Sequence, residues 1–188
     1  MIEKAEVLRY LRTNSAVEDA NLLALIDSCT EAAYAAVQPK TIYRIFPCEM
    51  TESEVVIGGI PFHSRRLAQN LAGCKEVVAF AATLGTQGDA LLRAAKAEST
   101  AKLMVFQAVL AAMVEEVCDN LEKEICTAHR CRLRRRYSPG YFDLALESQK
   151  DFFRLMDITK RIGVTLSDNM LMIPSKSVTA FIGVENED

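Results

Sequence analysis

Val77–Leu84 reads Val-Val-Ala-Phe-Ala-Ala-Thr-Leu, with one hydroxyl in eight residues, and it is bounded by Gly85 and Gly88. A segment this short and this apolar, opened by two β-branched residues, reads as a strand buried inside a sheet. The segments around it determine what kind of sheet that is. Glu3–Arg12 has the pattern of a short helix. Ser15-Ala16-Val17-Glu18 is a capping box opening a second. That second helix carries Leu22, Leu25, Ile26, Cys29, Ala32, Ala33 and Ala36 at helical spacing and ends before Pro39. Thr41–Phe46 and Glu54–Ile57 are β-rich, the latter running into Gly58-Gly59, and a helix follows at Ser64–Leu71.

Beyond the buried run, Gly88–Lys96 and then Ser99–Ile125 are helical, the longer with Phe106, Leu110, Met113, Val114, Val117 and Leu121 on one face. Arg130–Tyr137 reads as a strand, Ser138-Pro139-Gly140 as a turn and Leu146–Met156 as a helix. Met170–Ile173 and Val178–Val184 read as closing strands joined through Pro174–Ser177. Helices, then mixed strands and helices, then strands favour an α+β layer fold, a twisted and mainly antiparallel sheet flanked by helices, over a regular βαβ array. Residues 1–40 form its helical N-terminal part. Neither a repeat nor a linker divides the 188 residues, so the chain is expected to be a single domain over 1–188.

Half of the residues are hydrophobic and a quarter charged, the balance of a globular chain rather than a disordered one. The longest nearly apolar stretch, Leu103–Val114, has 12 residues, against about 20 for a membrane-spanning helix. The opening Met1-Ile2-Glu3-Lys4-Ala5-Glu6 carries no apolar targeting segment, so a soluble cytoplasmic protein is expected. Its six cysteines then read as reduced thiols. Cys126, His129 and Cys131 match no common zinc spacing and share their segment with arginines that would repel a cation, so no metal site is expected.

Three further features have both a structural and a functional reading. Gly85-Thr86-Gln87-Gly88 lies between a strand and a helix, as phosphate loops do, but lacks the Lys-Ser/Thr ending; a strand-to-helix turn suffices. Five of the seven residues from 130 to 136 are arginine. Net charge is −3 and no aromatic residue is interleaved with them, which argues against nucleic acid. On a strand, Arg132, Arg134 and Arg136 would share one face, able to meet the carboxylate or phosphate of a ligand or partner. Glu115, Asp119 and Glu122 repeat at i, i+4 and i+7, which reads first as a solvent-facing stripe and second as a holder of a ligand ammonium.

Arg136-Tyr137-Ser138-Pro139-Gly140-Tyr141 is followed by Gly163-Val164-Thr165-Leu166-Ser167 and by Met172-Ile173-Pro174-Ser175-Lys176-Ser177-Val178. In this order and spacing the three segments resemble the R-x-x-x-G-Y, G-x-x-L-[ST] and M-x-P-x-x-S-V hallmarks of the reactivation domain of cobalamin-dependent methionine synthase. The short stand-alone versions of that domain are the nearest in pattern. Residues 130–184 carry the resemblance best; Glu6–Leu11 and Ala81–Gly85 extend it more loosely.

The resemblance implies a fold like that of the activation domain and a module that supports reductive methylation of cob(II)alamin on a separate cobalamin-binding methionine synthase. S-adenosylmethionine (SAM) would give the methyl group and a flavodoxin-like or ferredoxin-like protein the electron. Because the nucleophile is the partner's cobalt, the chain would supply positioning rather than a catalytic residue of its own. A sequence with two histidines and no triad motif is consistent with that. By position in the motif, Arg136 would hold the methionyl carboxylate, Ser138 and Gly140 would let backbone approach the adenine, and Tyr141 would stand near the reacting centre. Glu115 matches a glutamate expected at the ligand ammonium. The relatives continue G-Y-G-D where this chain has Tyr141-Phe142-Asp143, so Phe142 is expected to reshape the pocket. Larger members add a tyrosine and an aspartate from outside the shared core, and neither has a match here. A non-catalytic interaction subunit of a corrinoid methyltransferase that binds no SAM is the second reading, and a nucleic-acid module built on the arginine cluster the third.

Overall fold

The computed structural model describes residues 1–13 and 19–186. In chain order its elements are helices α1 (Lys4–Tyr10) and α2 (Ala20–Ala36); strands β1 (Lys40–Met50), β2 (Glu54–Ile57) and β3 (Ile60–His63); α3 (Arg65–Leu71); β4 (Glu76–Thr83); α4 (Thr86–Glu98) and α5 (Thr100–His129). Then follow β5 (Cys131–Leu133), a 3-10 turn (Leu146–Ser148), α6 (Gln149–Met156), α7 (Ile158–Ile162), β6 (Thr165–Leu166), β7 (Met172–Ile173) and β8 (Ser177–Asn186). The Ser15–Glu18 capping box lies outside the described residues. Within them α2 is capped by Asp19, whose carboxylate accepts from the N–H groups of Asn21 and Leu22 at 2.9 and 3.2 Å.

Six of the described strands form one antiparallel sheet in the order β3-β2-β1-β4-β8-β5. The apolar run expected to be a buried strand is β4, central in this sheet and buried from Val77 to Thr83. Its side chains alternate between two layers. Val77, Ala79 and Ala81 pack with Phe181, α3, α6 and α7, whereas Val78, Phe80 and Ala82 pack with Cys118, Leu121 and Ile125 of α5. Strand β4 is apolar on both sides because each face of the sheet is covered by helices. The first half of α5 leaves the sheet and closes a helical core with α1, α2 and α4 through Phe106, Val109, Leu110 and Met113. The thirty-residue helix spans about 45 Å, so one rigid element links both cores.

The expected fold class holds, with local corrections. Strand β3 adds to the strands read from the sequence; its Pro61, which would disfavour a central strand, is tolerated because β3 lies at the sheet edge. The Gly58-Gly59 turn into it has both φ angles positive, as a two-residue hairpin requires. The helix at Leu146–Met156 begins as a 3-10 turn and is followed by α7, the break falling at Asp157 in the left-handed region. Ala32, placed on the apolar face of α2, is exposed. Met170–Ile173 does not close the main sheet, since Met172–Ile173 forms a separate two-stranded ribbon with Thr165–Leu166.

The largest local departure is at Arg130–Tyr137, where only Cys131–Leu133 is continuous strand. Arg134 N–H donates to the Gly183 carbonyl at 3.0 Å, and Tyr137 and Phe181 exchange both backbone hydrogen bonds at 2.9 Å. Three steps on one strand therefore oppose two on the other, and the extra residue acts as a bulge. Strict alternation would put Arg136 opposite Phe181. Instead Tyr137 takes that place and Arg136 turns to α5. Arg132, Arg134 and Arg136 therefore do not share a face: Arg134 reaches Glu185 and the Asn70 carbonyl, both at 2.7 Å, while Arg136 meets the carboxylates of α5.

Candidate functional site

The loop after the bulge, the 3-10 turn, the β6–β7 ribbon and the start of β8 enclose a cavity of about 760 Å³, within the range of small-molecule sites. Arg136, Ser138, Tyr141 and Glu115, all singled out in the sequence, line it together. Gly140 does not. Its φ of 89° makes the turn, and a Cβ there would come within 3.0 Å of Leu146, so its part is to let the loop fold back. Sequence reasoning missed the opposite wall, Ser167, Met170, Leu171, Met172 and Ile173, although Ser167, Met172 and Ile173 lie in the segments that carried the family resemblance and the other two lie between those segments. Gln149 and Thr179 were missed too; both are buried, and the Thr179 hydroxyl donates to Gln149 Oε1 at 3.0 Å.

Arg136 is held against the acidic stripe of α5. Its Nη2 is 2.6 Å from Asp119 Oδ1 and 3.3 Å from Glu115 Oε2, and its Nε is 3.1 Å from Glu122 Oε1. The Glu122 oxygen is off the N–H axis and makes an ion pair without a hydrogen bond. One guanidinium nitrogen, Nη1, is buried with no acceptor. Burial lowers the Arg136 pKa, but the surrounding Glu122, Glu115, Cys118 and Asp119 outweigh it and hold the guanidinium above its ordinary value. Burial pushes the Glu122 carboxyl upward against the pull of Arg136, and the neighbouring Asp119 and Glu115 charges add to the rise. The stripe read first as solvent-facing thus faces an arginine. Cys118 is fully buried, and burial carries its thiol up to about 12, which keeps it protonated and inert.

Asp143 fixes the loop bearing Tyr141. Its Oδ1 accepts from the Ser64 hydroxyl at 2.5 Å and from the Tyr137 hydroxyl at 3.3 Å, and its Oδ2 accepts from Arg65 N–H at 2.9 Å. Phe142 beside it has φ 51°, a region that suits glycine and costs other residues of order 1 kcal/mol. Its ring is 84% exposed and stacks on Tyr137 at 6.0 Å, so it shapes the mouth of the cavity and not the floor. The Ser64 bond, outweighing partial burial and helped by the Arg66 and Arg65 amides, holds the Asp143 pKa below its ordinary value. A depressed carboxylate stabilises the fold above the unfolded pKa of about 3.9 and loses that effect as pH falls through the lower folded value. Accordingly, amides of residues 138–145 are expected to exchange hydrogen roughly tenfold faster in Asp143→Ala than in the parent at pH 7, the difference vanishing at strongly acid pH. Equal exchange at pH 7 would remove this role.

The ribbon side is tethered to α4. Asp89 accepts from the Ser175 hydroxyl and, at 3.1 Å, from the Ser175 N–H. Lys176 Nζ donates to the Gln107 carbonyl at 3.2 Å, with burial lowering its pKa. Gly85 makes the strand-to-helix turn, its N–H donating to Thr83 Oγ1 at 3.1 Å, and Thr86–Gly88 already belong to α4. Of the Cys126–Cys131 cluster, Cys131 is buried in the core under α5, and His129 is hydrogen-bonded to the Tyr43 hydroxyl at 3.1 Å. Among the described residues no helix is long and apolar enough to cross a membrane.

Apolar side chains ring the mouth of the cavity. Tyr141, Phe142, Leu171 and Ile173 there are 64%, 84%, 63% and 52% exposed. The chain belongs to the family described as vitamin B12 dependent methionine synthase, activation domain, whose profile matches residues 66–187. Among solved structures, a crystal structure of the MetH reactivation domain bound to AdoHcy shares the fold, with a TM-score of 0.70 at 17% identity over 96% of this chain and 70% of that one. No curated protein matches the chain by sequence.

Proposed function

We propose that residues 1–188 act as one SAM-binding reactivation module for a separate cobalamin-dependent methionine synthase. The observation that carries this is the convergence, in one cavity of about 760 Å³, of Arg136, Glu115, Ser138 and Tyr141. A guanidinium in the cavity wall is a ready partner for a ligand carboxylate. When bound, the ligand supplies a sulfonium methyl group, and the acceptor is reduced cobalt carried by the partner, with the electron from a flavodoxin-like or ferredoxin-like protein.

In this reading Arg136 grips the amino-acid carboxylate and Glu115 faces the ammonium. Ser138 lies where backbone meets the adenine, Gly140 permits the turn, and the Tyr141 ring, which tolerates a cation against its face, stands near the methyl group. The exposed apolar rim is the surface against which the partner excludes water, since contiguous apolar patches mark interaction sites.

Calorimetric titration of the full chain with S-adenosylhomocysteine (AdoHcy) tests the reading, and a single saturable site is expected. Failure to bind, alone and with a cobalamin-loaded methionine synthase, would sink it and leave the non-catalytic interaction subunit.

A further inference from the structure

Beside the cavity one guanidinium answers three carboxylates. Glu115 lines the cavity; Asp119 and Glu122, further along α5, do not, yet both touch Arg136, at 2.6 and 3.1 Å. One positive charge against three negative leaves two negative in excess. Of the nearby cations, Arg134 is spent on Glu185 at 2.7 Å, and Arg135 and Lys123, the latter beside Asp119 and Glu122 on α5, are exposed to solvent. Burial displaces the Glu122 carboxyl upward despite its contact with Arg136, and the charges of Asp119 and Glu115 add to that rise.

Two partners suffice to place a guanidinium, so the third carboxylate adds little to positioning. It adds a negative potential that acts on whatever the cavity holds. We infer that Asp119 and Glu122 are specificity residues: with Glu115 they over-neutralise Arg136, so that the cavity favours a ligand bearing a sulfonium cation over the neutral thioether left when its methyl group has gone. This rests on the function proposed above. Loss of the methyl group to a nucleophile breaks the carbon–sulfur bond, leaves its electron pair on sulfur and removes one positive charge from the ligand. The same excess of negative charge that draws in the fresh ligand therefore ceases to hold the spent one.

The test is calorimetry of the full chain with SAM and with AdoHcy, at ionic strengths of roughly 10 and 500 mM, where the Debye length falls from about 30 Å to about 4 Å. The parent is expected to prefer SAM by at least about threefold at low salt and to lose most of the preference at high salt. Asp119→Asn and Glu122→Gln, which keep shape and remove charge, should each reduce the low-salt preference by about threefold. A purely structural role, loosening Arg136, would weaken both ligands alike and leave their ratio unchanged. Binding of both ligands with a ratio that neither variant moves overturns the inference while the proposed function stands. Binding of neither ligand to the parent overturns both.

Discussion

Arg136→Ala is expected to weaken AdoHcy binding by about 10- to 100-fold, the worth of a charge-assisted, two-pronged contact to a carboxylate. The chain should still fold, because Arg136 lies at the end of a bulge and outside the buried core. Its stability should nevertheless acquire a new pH dependence. Without the guanidinium, Glu115, Asp119 and Glu122 repel one another, and the buried Glu122 oxygen keeps a charge with no counterion. The folded-state pKa of Glu122, already raised, rises further. A group whose folded pKa lies above its unfolded value stabilises the fold below the unfolded pKa, and that effect is lost as pH rises through the folded value. The variant should therefore be less stable than the parent at pH 7 and approach it as pH falls toward the ordinary glutamate range. Arg136→Lys separates the two effects: it keeps a cation and should restore most of the neutral-pH stability, yet it lacks the planar fork and should still bind poorly. Parent-like affinity in Arg136→Ala would remove Arg136 from the site.

Phe181→Ala should be the most damaging single truncation in the sheet. The Phe181 ring is fully buried and meets Phe62 at 4.8 Å and Phe152 at 4.6 Å, joining β8 to the β3 hairpin and to α6. Truncating a buried phenylalanine costs about 3–5 kcal/mol, since neighbours close the gap only in part. Its backbone also makes the paired hydrogen bonds with Tyr137 that end the bulge, so the damage should extend to ligand binding as well as to the denaturation midpoint. A loss below about 2 kcal/mol in urea unfolding would show that the three rings repack more freely than their burial implies.

The sequence told most where one physical signal dominated. Val77–Leu84 was legible as a buried strand because nothing in it can face water, and α5 because its apolar face repeats without interruption. It told less where tertiary context overrode a local rule. Strand β3 went unread, and its Pro61 is one that edge placement allows. Asp157 adopts a left-handed conformation that no local signal announces, and it divides α6 from α7. At the site, Arg136, Ser138 and Tyr141 were found together because they sit within six residues of one motif. Glu115 needed the family resemblance, being 21 positions away on a different element. Asp119 and Glu122 were read as a solvated stripe because a helix face alone does not disclose what is packed against it. Gln149 and Thr179 were not read as site residues, since a buried hydroxyl–amide pair looks in sequence like two ordinary polar residues.

The bulge between Arg134 and Tyr137 has a meaning outside local geometry. In a strand, odd and even positions belong to opposite sides, so the cavity depends on the parity of a residue count as much as on residue type. Five arginines in seven residues supply the same chemistry almost everywhere along this edge, and the count alone decides which of them is delivered to α5. The site is thus written partly as a length, and it is more tolerant of exchanging one arginine neighbour for another residue than of gaining or losing one.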